Sequence, residues 1–212
     1  MNPQGSPEWF LERLGHATAS EFKAVKAKGK SGEATTRRNY RVQLAVERLT
    51  GIPYAGYHNE AMDRGNEIEA EARAAYEEHT GRIVREVGFL KHPRIAWCGG
   101  SPDGVGEDRL VQIKCPDVTA IHVETMLAGR PPPEHIPQVQ GELAVTGLGF
   151  SDFVSYDPRM PERLRLFIVT VPQDRDYIEA LEAEIQKFLA EVEELADQLM
   201  KCVALNETVE LT

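Results

Sequence analysis

Gly99-Gly100-Ser101-Pro102-Asp103-Gly104, followed after a short spacer by Gln112-Ile113-Lys114-Cys115-Pro116, is the stretch that decides how this chain folds. Gly104 permits a tight turn after Asp103. Val111, Ile113 and Cys115 alternate with Gln112 and Lys114, as the side chains of a half-buried strand do. Gln112 and Lys114 therefore share one face. If the turn carries Asp103 beside that face, a carboxylate, an amide oxygen and an ammonium converge where a divalent cation and a phosphate can sit. Gln112 is the odd member, because an amide brings no negative charge.

Working outward, the 212 residues are 42% hydrophobic with no strongly biased segment, which suits a single domain, 1–212, with a sizeable core. No apolar run approaches the roughly 20 residues that span a bilayer, and the start lacks a basic segment followed by an apolar one. A cytoplasmic protein without membrane association is expected. Cys98, Cys115 and Cys202 are widely spaced and form no CxxC pair, which fits reduced thiols rather than structural zinc.

A formal charge of −10 argues against a general nucleic-acid coat, because phosphate binding relies on Lys and Arg displacing counterions. Distribution matters more than the sum. Lys23, Lys26, Lys28, Lys30, Arg37, Arg38 and Arg41 face only Glu33 within their segment, whereas acids dominate beyond Gln173. A fold that gathers the basic segment on one side attracts DNA there and repels it elsewhere. The plainer reading is a solvated loop.

Ser6-Pro7 starts a helix over 8–14 that Gly15 stops. Thr18 and Glu21 make a capping box for a second helix to about Ala27, before the Lys28-Gly29-Lys30-Ser31-Gly32 loop. A third helix over 35–49 has Tyr40, Val42, Leu44, Ala45, Val46 and Leu49 on its buried side. Strands over 82–90, 94–97 and 110–115 form a central antiparallel unit. Helices over 118–127 and 134–146, strands over 150–156 and 164–171, and a long amphipathic helix over 174–201 complete an α/β fold, a mixed sheet flanked by helices.

The helix over 60–79 holds an anomaly. Met62, Gly65, Glu69, Ala72 and Tyr76 recur at three- and four-residue steps, so Glu69 lies in an otherwise apolar or small stripe where an unpaired carboxylate is costly. Spacing alone favours Arg73, four residues on, as its partner; a metal ion is the alternative.

Pro102-Asp103 and Gln112-Ile113-Lys114 resemble the PD-(D/E)xK nuclease motif: an aspartate, a spacer, then an acid, an apolar residue and a lysine. From about Pro7 to Phe188 the chain is similar to the family of lambda exonuclease and the YqaJ-type viral recombinases. Trp9 to Gly15, Ala17-Thr18-Ala19-Ser20-Glu21, Gly65-Asn66-Glu67-Ile68-Glu69 with Ala72-Arg73, Gln138-Val139-Gln140 and Tyr156-Asp157-Pro158-Arg159-Met160 carry that similarity.

The resemblance implies a restriction-endonuclease-like fold. It also implies a Mg²⁺-dependent 5′→3′ exonuclease that digests the 5′-ended strand from phosphorylated duplex ends to mononucleotides, leaving 3′ single strands for recombination by annealing. Two Mg²⁺ ions, replaceable by Mn²⁺, are implied at Asp103, Glu69, the residue at 112 and the Ile113 carbonyl. Lys114 then orients water or neutralises developing charge. Arg13, Ser20 and Ser101 are implied to bind the 5′-phosphate, with Gln138 and Gln140 lining the site, Gln140 the nearer to Lys114, and Tyr156 to Met160 structural. Partners implied are double-stranded DNA, a single-strand annealing protein and two further copies in a homotrimeric ring, inside a bacterial cell.

Two departures stand out. Gln112 replaces the family's catalytic acid by natural drift or by a deliberate Glu to Gln change; the near-isosteric loss of charge suits the latter, and impaired hydrolysis with retained end binding is expected. A basic residue that follows Cys-Pro in the family has no counterpart among Val118, Thr119 and Ala120, leaving His122 or Arg130 as substitutes. A PD-(D/E)xK endonuclease and a non-catalytic DNA-end-binding protein are the competing readings.

Overall fold

The computed structural model describes residues 2–54 and 60–209. In chain order its elements are α1 (Pro7–Arg13), β1 (Ala17–Thr18), α2 (Phe22–Val25), α3 (Thr35–Thr50), α4 (Glu60–Thr80), β2 (Leu90–Lys91), β3 (Cys98–Gly100), β4 (Gly104–Val105), β5 (Arg109–Lys114), α5 (Thr119–Ala128), α6 (Ile136–Thr146), β6 (Phe150–Tyr156), β7 (Leu166–Pro172) and α7 (Arg175–Val209). Short 3-10 turns precede α2, α6 and β7.

The strands form two sheets, ordered β1-β3-β2 and β4-β5-β6-β7. In the larger one β5 pairs antiparallel with β4 and parallel with β6. The motif strand is thus interior rather than half-buried. Val111 and Ile113 pack with Ala72 and Tyr76 of α4, while Leu110 packs with Val139 and Leu143 of α6. Tyr76 donates to Asp152 at 2.7 Å, and Asp152 also accepts from Arg109 and Thr170, so one buried carboxylate ties α4 to three strands.

The expected strand over 82–90 is reduced to an isolated Arg85–Val105 bridge and the start of β2, and 94–97 forms a bend and turn ahead of β3. For 94–97 the reason is His92. Its Nδ1 accepts from the backbone N–H groups of Arg94 and Ile95 at 3.1 and 3.0 Å, which bends the chain where a strand was expected. The capping box at Thr18 and Glu21 is also not made. Ala17 and Thr18 instead form β1, parallel to β3, and the short α2 begins at Phe22.

α3 and α7 close the other side. Tyr40 stacks on Phe188 at 5.4 Å between ring centres, above Phe22, Leu44, Leu181, Ile185 and Val192. Val42 and Leu49, expected on the buried side of α3, are exposed, and Glu47 is buried instead, accepting the Gly15 N–H at 2.8 Å. No helix among the described residues is long and apolar enough to cross a membrane.

Candidate active site

The β4–β5 register builds the first half of the site. Gly104 pairs with Val111, which sets Asp103 opposite the next residues of β5. Asp103 Oδ2 accepts the Ile113 N–H at 2.7 Å and a short hydrogen bond from the Gln112 amide. Gly104 is a strand residue and not the turn expected of it: a Cβ there would lie 2.0 Å from Val84 Cγ1, so close approach of the chain demands glycine. Gln112 and Lys114 share the β5 face that Leu110 presents to α6.

Glu69 approaches from α4. Arg73 donates to its carboxylate at 3.0 Å and to the Asp103 carbonyl at 3.2 Å, and also bonds Glu86. The helical neighbour expected from spacing is therefore present, and the same guanidinium ties Glu69 to the Asp103 segment. Met62 and Gly65, other members of the stripe, lie outside the residues whose side chains are described. Burial, and then the Asp103 charge, raise the Glu69 pKa; burial raises that of Asp103 against the pull of Lys114. Two neighbouring carboxyls are thus held where ionisation is unfavourable.

The second half gathers from distant segments. β1 pairs with β3 in the register Ala17–Cys98 and Thr18–Gly99, which sets the turn carrying Ser20 near Ser101. Arg13 Nη2 reaches Thr18 Oγ1 at 3.4 Å and Ser20 Oγ at 3.5 Å, and the two hydroxyls lie 3.2 Å apart. The guanidinium lies 4.0 Å from the Trp9 ring centre, and Trp9 Nε1 donates to Ser101 Oγ at 3.0 Å. Arg13, Ser20 and Ser101 therefore join one network, and Trp9 and Thr18, expected only in the opening element and as a helix cap, belong to it. Burial lowers the Arg13 pKa against the pull of Tyr40, Glu21, Glu142 and Glu47. A cleft of about 710 Å³ is lined by Trp9, Arg13, Thr18, Glu69 and Arg73, so the Arg13 network and the Glu69–Arg73 pair both open onto it.

Other expectations separate. Gln138 and Gln140 project differently from α6: Gln138 donates to Glu142 at 3.0 Å, whereas Gln140 donates to the Pro172 carbonyl and accepts the Asp174 N–H, both at 2.9 Å. Gln140 thus ties α6 to the β7–α7 junction. His122 cannot replace the missing basic residue, being fully buried between Ser155 Oγ and the Leu164 carbonyl; Arg130 is exposed. Arg159 bonds Asp157 and the carbonyls of Pro116 and Asp117, clamping the loop after β5. In the basic segment, Arg37 and Arg41 pair with Glu33 and with Glu191 of α7, while Lys23, Lys28, Lys30 and Arg38 are exposed.

Among the described residues no three His, Cys, Asp or Glu side chains converge closely enough to hold a metal ion. The donors nevertheless fit a cation once position 112 is included. Gln112 is 0% exposed, and its Oε1 has no hydrogen-bond partner among the described residues. Two carboxyls disfavoured as anions, an orphaned amide oxygen and a nearby carbonyl form a hard-oxygen set suited to a divalent ion.

The mixed sheet, its flanking helices and this motif define a PD-(D/E)xK-type nuclease fold. The YqaJ-like viral recombinase domain matches residues 8–149, and the chain belongs to that family. It is similar to an alkaline exonuclease (LHK-Exo) from Laribacter hongkongensis, at 42% identity and a TM-score of 0.86, covering 94% of this chain and 98% of that one. LHK-Exo in complex with dAMP gives 43% identity and a TM-score of 0.87 over the same shares of the two chains. A phage related exonuclease from Haemophilus somnus 129PT, 17% identical, shares the fold with a TM-score of 0.65 over 89% of this chain and 96% of that one. Among curated proteins none matches the chain.

Proposed function

We propose that the chain is a Mg²⁺-dependent 5′→3′ exonuclease that digests the 5′-ended strand of duplex DNA from phosphorylated ends, releasing mononucleotides and leaving 3′ single strands. The observation that carries this is the shared cleft, whose walls are lined by Arg13 and Thr18 together with Glu69 and Arg73. The similarity to an alkaline exonuclease, whose complex with dAMP holds a deoxynucleoside monophosphate, supports it.

Arg13 offers a planar charged fork to a terminal phosphate, and Thr18, Ser20 and Ser101 donate hydroxyl hydrogen bonds to its oxygens. Asp103, Glu69, Gln112 Oε1 and the Ile113 carbonyl would hold Mg²⁺, two ions by family resemblance and replaceable by Mn²⁺. When bound, such ions activate water and stabilise negative charge on phosphoryl and leaving oxygens. Lys114 orients the attacking water and neutralises charge on the phosphoryl group. Breaking the P–O3′ bond frees the end nucleotide with its 5′-phosphate and leaves a new 5′-phosphate on the strand, the group that Arg13 binds in the next cycle.

Assembly into a homotrimeric ring and transfer of the 3′ strand to a single-strand annealing protein belong to the same proposal. A ring lets a chain of net charge −10 hold DNA on an inner basic surface. Gln112 favours a second reading, a DNA-end-binding protein with weak hydrolysis, because its amide donates to the Asp103 carboxylate where the family has an acid.

The test is Mg²⁺-dependent digestion of linear 5′-phosphorylated duplex, linear 5′-hydroxyl duplex and circular duplex by this chain, Gln112→Glu and Arg13→Ala. Linear DNA alone is degraded, faster by Gln112→Glu, and Arg13→Ala reduces the preference for phosphorylated ends by about 10- to 100-fold, the worth of a hydrogen bond to a charged group. Cutting of circles shows an endonuclease. End binding without cutting by either the chain or Gln112→Glu shows the non-catalytic reading.

A further inference from the structure

Glu142 is 1% exposed on α6 and takes no part in the mechanism above. Its Oε1 accepts from Gln138 at 3.0 Å, and its Oε2 has no hydrogen-bond partner among the described residues. Its Cγ would lie 3.2 Å from a Cβ placed on Gly100, so the bare glycine preceding Ser101 makes room for the carboxyl beside the Ser101-Pro102-Asp103 segment. Along β5, Leu110 packs against α6 through Val139 and Leu143, the residues three before and one after Glu142 on the helix, and Gln112 and Lys114 share that face of β5. Burial pushes the Glu142 pKa up to about 8; the Asp103 charge adds to the rise, and Gln138, Lys114 and Arg13 oppose it. A carboxyl with a free oxygen therefore lies within electrostatic reach of both halves of the site.

We infer that Glu142 supplies the cation site with the carboxylate charge that position 112 lacks, an inference that rests on the metal-dependent reading proposed above. It acts as a positioning residue across the site rather than as a ligand, since among the described residues no three acids converge at metal distance. Gln112 neutralises the β5 side and donates to Asp103, which leaves Glu142 as the buried acid on the α6 side. With Glu at 112 the charge is already present, and Glu142 becomes dispensable.

The test is Mn²⁺ affinity, measured by titration calorimetry on the full chain at pH 8 and on Glu142→Gln, Gln112→Glu, the double variant and Asp103→Asn, with melting in chelator to verify folding. Glu142→Gln weakens Mn²⁺ binding by about tenfold or more, the usual effect of an outer carboxylate. In the Gln112→Glu background the same change has a clearly smaller effect. Equal affinity of the chain and Glu142→Gln, with both losing Mn²⁺ on Asp103→Asn, overturns the inference and leaves the metal site standing. Binding by Gln112→Glu but not by the chain also overturns it, whereas absence of binding by every variant removes the metal-dependent reading itself. Should Glu142→Gln not fold, Glu142→Met, an uncharged side chain of similar length, takes its place; a loss of Mn²⁺ affinity of about tenfold or more supports the inference, and affinity equal to the chain's overturns it.

Discussion

Asp157 and Glu142 are both sealed from solvent, yet the fold treats them in opposite ways. Asp157 accepts from Arg159 N, Nε and Nη2 at 3.0, 2.7 and 2.9 Å, and these bonds hold its pKa down to about 2. Glu142 has one amide donor and an orphaned oxygen, and burial holds it up at about 8. Glu69 and Asp103 are raised as well. The difference shows that this chain can satisfy a buried acid fully where architecture needs it, as in the clamp on the loop after β5. The acids left without enough positive charge gather near Lys114 and the cleft, where burial and like charge mark a functional site.

Asp103→Asn tests the contrast most severely. Hydrolysis of linear duplex falls by at least about 10²- to 10³-fold, as for loss of a group aimed at developing charge, while the melting temperature at pH 8 in chelator does not fall. A variant that keeps its activity would remove Asp103 from the site. Asp157→Asn does the reverse. Losing charge-assisted bonds to Arg159 costs about 1–3 kcal/mol, read as a lower denaturation midpoint, and the chemical step in the folded fraction changes little. An unchanged midpoint would show that the clamp contributes nothing.

The smallest effect is the pH dependence of stability in chelator, and the two acids give it opposite signs. Glu142 binds its proton more tightly folded than unfolded, so its contribution declines as pH rises from about 4.5 toward about 8. Asp157 binds its proton less tightly folded, so its contribution is present above about 3.8 and lost as pH falls toward about 2. Melting temperatures of the chain and Glu142→Gln should therefore diverge between pH 5 and 8, with the variant flatter. Parallel curves would show that Glu142 does not titrate in that window.

Legibility in the sequence follows the length of chain that separates partners. Asp103, Gln112 and Lys114 could be placed together because β4 and β5 are joined by a short connection, and a strand's two-residue period fixes which side chains share a face. Gln140, expected nearer Lys114 than Gln138, is instead engaged at the β7–α7 junction, since residues two apart on a helix point in different directions and only the neighbours of α6 decide which faces the site. Glu142 does carry a signal in the sequence, an acid among Val139, Leu143 and Val145 on a buried helix. Thr18 has the local pattern of a helix cap, but its pairing with Gly99 across β1 and β3 joins segments far apart in the chain, which no local pattern contains.

From sequence alone came the motif, the longer helices, the strands near 110–115, 150–156 and 164–171 and the family, because periodicity, turn residues and short spacings are local properties of the chain. Tertiary structure decided which charges are free. Arg37 and Arg41 lie in a basic run yet are neutralised by Glu33 and by Glu191 on α7, more than a hundred residues away from them. Arg13 and Ser20 stand apart from Ser101 in the chain yet share one network through Thr18 and Trp9. The cost of burying a charge depends on partners within a few ångströms. Those partners are set by packing between segments, which no local pattern in the sequence contains.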